Sequence, residues 1–225
     1  MANEKTILFD AHGVLYSRQR PHAHLRAFLK QHSQQERSTV DVRAATATLT
    51  AQAMIGSVGR EALNDAILAA YGVTDDALLA SGRTALAADD ADITLYGGVP
   101  ETLYELRRRG FKLGVVTDSV SPTAEKLRWF RSRGLALAWD AFANSCEVGV
   151  RKPHLRIYQA ALEQCGVSPA EALFVGHKAS ELDGARAVGM LTAAVYRDAD
   201  AIAEYPLDAF TDLLSLSVLS GAGDV

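Results

Sequence analysis

The chain reads as an α/β protein, a doubly wound parallel sheet with helices inserted after its first strand. Five short apolar runs lack polar alternation, helical patterns separate the last four of them, and a long stretch near the start holds no strand-like run. Apolar runs without alternation mark strands buried on both faces, as parallel sheets require. The runs are 6–9, 112–116, 139–143, 172–175 and 191–195. Strand and helix then alternate at the spacing of βαβ units.

The helices follow from periodicity and stop signals. Residues 100–109 place Leu103 and Leu106 on one side, end in Arg107, Arg108 and Arg109, and stop at Gly110. The next, 122–132, carries Leu127, Trp129 and Phe130. Residues 154–164 carry Ile157, Ala160 and Ala161 before Gly166, and 181–188 lead to Gly189. The segment 17–92 is rich in Ala, Leu, Gln and Arg, with helices expected at 22–34, 40–55, 60–71 and 75–88, punctuated by Gly56, Gly59, Gly72 and Gly82. This predicts a helical cap domain over 17–92, lying above a core domain built from 1–16 and 93–225. The tail after Tyr196, ending in Gly221-Ala222-Gly223, reads as a frayed end.

Size and composition narrow the function. A chain of 225 residues can hold one medium domain, or a core plus a smaller insertion. Hydrophobic residues at 48% and charged residues at 22% describe a folded globule. A net charge of -4 argues against nucleic acid as a partner, because phosphate backbones call for a concentrated basic face. Cys146 and Cys165 show no metal or redox spacing and read as buried thiols in a reducing compartment. Residues 1–5 carry no apolar signal region, and no run approaches the ~20 apolar residues that span a bilayer. A cytoplasmic protein with a small-molecule partner and no membrane association is expected. The oligomeric state stays open.

Polar residues close four of the strands and should converge, because ligands in open parallel sheets bind beyond the carboxyl ends. Asp10-Ala11-His12-Gly13 follows the first strand and Thr117-Asp118-Ser119 the second. Gly149-Val150-Arg151-Lys152-Pro153 opens the helix after the third, with Pro153 expected at the first helical position. Gly176-His177-Lys178-Ala179-Ser180-Glu181 follows the fourth.

These four segments, in this order and with a helical insertion after the first, resemble the haloacid dehalogenase-like (HAD) hydrolase superfamily, whose core is Rossmann-like. The stretch from Phe174-Val175-Gly176 to Val188-Gly189-Met190 is especially similar to the last motif of that family, and Lys152-Pro153 with Tyr158 to its third. The resemblance implies a hydrolase of small anionic metabolites, with phosphate monoesters the default. Asp10 would be the covalent nucleophile, splitting one hard displacement into two easier ones. Thr117 would hold the transferring group, with Asp118, Ser119 and Lys178 beside it, and Lys152 would place a fixed cation against developing charge.

Two positions depart from that pattern. Where phosphatases of the family carry a second Asp as general acid/base stands His12, whose imidazole can also move a proton near neutrality. Where they carry a magnesium-binding carboxylate stands His177, with Glu181 one turn later. Magnesium prefers oxygen donors, so a set of Asp10, His177 and Glu181, with His12 as a further candidate, suits Zn, Mn or Fe better. No metal at all is the other alternative, His177, Lys178 and Lys152 then supplying the positive charge. The metal-free dehalogenase branch also resembles Phe9-Asp10-Ala11-His12-Gly13, and it implies a carboxylate-gripping cap arginine among Arg37, Arg43 and Arg60. A third alternative is a catalytically silent homologue that binds a ligand or metal.

The other polar residues read as structural. His22, His24 and His32 are expected to be solvated, and His154 to lie at the surface or the mouth. Arg107–109 form a solvated helix end set against the helix dipole. Trp129, Phe130 and Trp139 belong to the core.

Overall fold

The computed structural model describes residues 6–32 and 37–219. Strand β1 (Thr6–Phe9) is followed by the two-residue β2 (Tyr16–Ser17) and by helices α1 (Ala23–Gln31), α2 (Thr39–Met54), α3 (Arg60–Ala70) and α4 (Asp76–Ala91). Then comes β3 (Thr94–Leu95), which pairs antiparallel with β2, so the chain leaves and re-enters the sheet layer through one short ribbon. From there helices and strands alternate: α5 (Val99–Arg108), β4 (Lys112–Thr117), α6 (Thr123–Ser132), β5 (Ala141–Asn144), α7 (Ser145–Val148) and α8 (Leu155–Cys165). The series ends with β6 (Ala172–Gly176), α9 (Ala179–Val188), β7 (Leu191–Ala194) and β8 (Tyr205–Pro206).

Among the described residues the sheet has six parallel strands in the order β5-β4-β1-β6-β7-β8. β1 is central, and all four of its residues are buried. Its side chains alternate between two apolar layers. Ile7 and Phe9 join Leu103, Leu106 and Phe130 on one face, and Leu8 joins Ile157, Leu162 and Leu182 on the other. This is why 6–9 reads as continuously apolar. Strand order reverses at β1, where β4 departs to one side and β6 to the other, so the crevice beyond its carboxyl end is where a ligand fits.

The inserted helices have an apolar cluster of their own around Leu25, Phe28, Leu29 and Leu68. Gly82 does not punctuate them. It lies within α4, where an added Cβ would stand 2.7 Å from the Leu68 side chain, so its smallness lets two helices approach closely. Asp89 of α4 is buried because its carboxylate accepts the His24 and Leu25 N–H groups, both at 2.9 Å. It thereby satisfies the orphan donors at the start of α1.

Several expectations are corrected. The third strand begins at Ala141 rather than 139, because the Asp140 carboxylate turns back to accept the Leu113 N–H at 2.7 Å. The tail is not frayed up to Leu219. It adds β8 as a two-residue edge strand and buries Phe210 and Leu213 in the core, the former against residues as distant in sequence as Phe9. Arg107–109 are not merely solvated. Arg107 pairs with Asp140 at 2.7 Å, Arg109 with Glu105 at 2.8 Å, and Arg109 also donates to the Leu214 carbonyl at 2.9 Å. Cys146 is half-buried rather than buried. The end of the expected helix over 22–34 and the glycines at 221–223 lie partly or wholly outside the described residues. No helix among the described residues is long and apolar enough to cross a membrane.

Candidate active site

Asp10 is held where β1 stops. Its N–H still donates to the Val175 carbonyl at 2.9 Å, so the backbone remains in the sheet while the carboxylate turns into the crevice. Asp10 Oδ1 accepts the Ala11 N–H at 2.8 Å and Lys152 Nζ at 2.5 Å. The same ammonium reaches Glu181 Oε2 at 2.9 Å. All three side chains are almost fully buried. Burial would push the Asp10 carboxyl up, but Lys152 and His177 overcome it and hold the group far below the usual carboxylate range. Burial would likewise weaken the Lys152 ammonium, and Asp10, Glu181 and Asp118 keep it protonated. Asp10 therefore stays anionic although it is buried.

Lys152 reaches this place from a loop that Asp118 anchors. Asp118 Oδ1 accepts the Lys152 N–H at 3.0 Å, and Oδ2 stands 3.4 Å from Arg151 Nε. Pro153 is not at the first helical position. α8 begins at Leu155, capped by His154, whose Nδ1 accepts the Arg156 N–H at 3.2 Å. His154 thus terminates the loop rather than facing the mouth alone. The buried Tyr158 hydroxyl donates to the Glu181 carbonyl at 2.7 Å and ties α8 to the start of α9. Thr117 ends β4 and faces the crevice, and Ser119 is fixed by the hydrogen bond from its N–H to Ser145 Oγ at 2.9 Å. Lys178 lies 3.3 Å from Glu181 Oε1 at the half-exposed rim.

The two histidines occupy different places. His177 Nε2 is buried 3.4 Å from Asp10 Oδ2 without forming a hydrogen bond, while Nδ1 stands 3.6 Å from Asp198. The contact with Asp10 raises the imidazole above its ordinary pKa against the opposing effect of burial. Gly13, at φ 92°, makes room for this ring: an added Cβ would lie 2.4 Å from Nε2. His12 is exposed on the crevice wall, its ring edge-on to Tyr16 at 5.6 Å. Partial burial and the nearby Arg18 lower its pKa, which keeps it neutral.

A model of the haloacid dehalogenase-like hydrolase family matches residues 4–189. The chain belongs to this family. Among its relatives, the glyceraldehyde 3-phosphate phosphatase of Methanocaldococcus jannaschii is 28% identical over 123 residues, covering 52% of this chain and 53% of that one. Pyrophosphatase PpaX of Bacillus pumilus is 35% identical over 106 residues, covering 47% and 48%. The chain spans about half the length of the curated relatives it matches. A 2-haloacid dehalogenase from Pseudomonas syringae pv. Tomato superposes with a TM-score of 0.75 at 20% identity, over 96% of this chain and 97% of that one. A HAD phosphatase from Thermococcus onnurineus gives 0.63 at 22%, over 98% and 100%. At these identities the superpositions speak for the fold alone.

Phosphatases of this family imply a magnesium ion, and the donor set here does not fit one. Donor atoms of Asp10, His177 and Glu181 lie within 4.8 Å of one another, with His12 outside the group. Both Glu181 oxygens, however, face ammonium groups, and Asp10 Oδ1 is taken by Lys152 and the Ala11 N–H. What remains is one carboxylate oxygen and one imidazole nitrogen, whereas magnesium takes near-octahedral oxygen ligands.

The crevice itself has a volume of about 290 Å³. Its lining also includes Arg18, Asp90, Ser121 and Lys126, none of which the sequence motifs singled out. One signal existed. Lys126 precedes Trp129 and Phe130 by three and four residues, which puts a lysine on the buried face of α6. Of the three arginines considered as anion grips, Arg37 and Arg43 are exposed. Arg60 is engaged by Asp90 at 2.8 Å and by Glu125.

Proposed function

We propose that this HAD hydrolase cleaves phosphate monoesters of small metabolites through a covalent intermediate on Asp10. The observation that carries the reading is the anionic Asp10 carboxylate, fixed by Lys152 on the floor of a crevice lined with further cations. In the first step an Asp10 oxygen attacks phosphorus. An acyl phosphate forms, the ester P–O bond breaks, and the leaving alkoxide takes up a proton from solvent, to which His12 later returns the one it accepts. In the second step water attacks the phosphoenzyme, giving inorganic phosphate and restoring Asp10. Neutral His12 stands on the wall to accept the proton of that water.

Lys152 holds Asp10 in place and, with Lys178, offsets negative charge as the phosphoryl group arrives. Thr117 offers a hydroxyl to the same group. A crevice of about 290 Å³ suits a small substrate. The inserted helices act as a cap, since Met54 of α2 and Asp90 of α4 line the crevice and Arg60 of α3 pairs with Glu125 of α6. Relatives named for phosphatase and pyrophosphatase activity support phosphorus as the point of attack.

A second reading is attack of Asp10 on carbon in a 2-haloacid, with release of halide. The occupied Glu181 oxygens favour it, because that chemistry is compatible with a site that has no cage for magnesium. Turnover of a panel of phosphate monoesters and 2-haloacids, with and without chelator, separates the two. Phosphate release that persists in chelator and disappears in Asp10→Asn supports the first reading. Halide release alone supports the second. Turnover of neither leaves a ligand-binding homologue.

A further inference from the structure

The crevice wall carries a cation without a counter-ion. Lys126 has a side chain buried to 1% relative exposure, yet among the described residues no carboxylate pairs with it. Among the described residues its ammonium donates one hydrogen bond, to the Tyr16 hydroxyl at 2.9 Å. Its ammonium lies 5.3 Å from the centre of the Tyr16 ring and 5.4 Å from that of Trp129. Aromatic faces partly stand in for water around a cation, but an ammonium has three donors and a full charge to satisfy. Burying such a group without an anion is costly.

The neighbours do not make up the deficit. Asp90 and Glu125 are engaged by other cations: Arg60 takes both, Arg18 lies 3.5 Å from Asp90, and among the described residues neither carboxylate pairs with Lys126. Arg18 also stacks 6.0 Å from the same two rings, and its Nε is buried without a partner. Both side chains line the crevice that contains Asp10. Two incompletely satisfied cations aimed into one crevice are a site prepared for an anion.

We infer that Lys126 and Arg18 form a second anion subsite, so that the substrate carries a carboxylate or a further phosphate beyond the phosphoryl group that meets Asp10. This rests on the phosphate-ester reading and narrows its substrate class to compounds with two anionic groups. Lys126 acts as a specificity residue; it takes no part in the bond-breaking step.

A matched pair tests this, because 3-phosphoglycerate and glycerol 3-phosphate differ in one carboxylate. The wild type should prefer 3-phosphoglycerate in kcat/KM by tenfold or more, mostly through KM, and Lys126→Gln should reduce that preference to within about threefold. Lys126→Arg, which keeps the charge, should restore it and serves as the control for folding. Pyrophosphate as a third probe tells a second phosphate from a carboxylate. Equal use of all three by the wild type, or a preference that survives in Lys126→Gln, overturns the subsite while leaving the hydrolase reading intact. Calorimetric binding to Asp10→Asn separates the opposite case. If 3-phosphoglycerate or pyrophosphate binds tenfold more tightly than glycerol 3-phosphate, yet the wild type hydrolyses none of them, the subsite stands and the hydrolase reading falls. No binding preference in that variant overturns the subsite.

Discussion

The floor and the wall of one crevice handle buried charge in opposite ways. On the floor, Lys152 lies between Asp10 and Glu181, and each charged group has an opposite partner within hydrogen-bonding distance. On the wall, Lys126 rests on the rings of Tyr16 and Trp129 and donates to the Tyr16 hydroxyl. A saturated cluster fixes geometry before any ligand arrives, which suits the role proposed for Asp10. An unsaturated one holds its charge for a ligand. The difference teaches that the two ends have different tasks although both are lysine-bearing and dry.

The largest effect expected at the floor is catalytic. Asp10→Asn should lower turnover by a factor on the order of 10³ or more, read as phosphate release, because it removes the attacking oxygen. The stability comparison is sharper. Lys152→Met leaves Asp10 and Glu181 buried without their shared cation and should cost about 3–5 kcal/mol in denaturant unfolding. Equal costs for Lys152→Met and Lys126→Met would break the distinction, since removing an unpaired ammonium should cost less than about 1 kcal/mol.

Asp118→Asn should lower kcat with a loss of stability of about 1–2 kcal/mol, because the Lys152 loop loses its charged anchor. Retention of full activity would show that the loop needs no such anchor.

The smallest effect is a pH dependence confined to the floor. Asp10 has a lowered pKa, so its contribution is present above its ordinary 3.8 and lost as pH falls toward the native value. His177 has a raised pKa, so its contribution is full below the ordinary 6.5 and lost as pH rises through the native value. The stability gap between wild type and His177→Gln should therefore be widest between those two values and narrow at alkaline pH. A gap that is flat from pH 5 to 9 would mean that the Asp10–His177 contact carries no charge.

The sequence by itself determined the sheet and the placement of its strand ends. Unalternating apolar runs admit burial on both faces, and the residue after each run must then lie at the edge of the crevice. That logic located Asp10, Thr117, Lys152, His177 and Glu181 without coordinates. It could not tell the two histidines apart, although one faces Asp10 across Gly13 and the other lies on the wall, because their positions depend on loop geometry. Only the tertiary structure decided that Arg18 and Lys126 share a crevice with Asp10, and that the tail beyond Tyr196 adds an edge strand and packs on the core. The crevice contacts join residues about a hundred positions apart in sequence, as Tyr16 and Lys126 are. Periodicity records which face of an element is buried, whereas the identity of what buries it is set by how the elements meet.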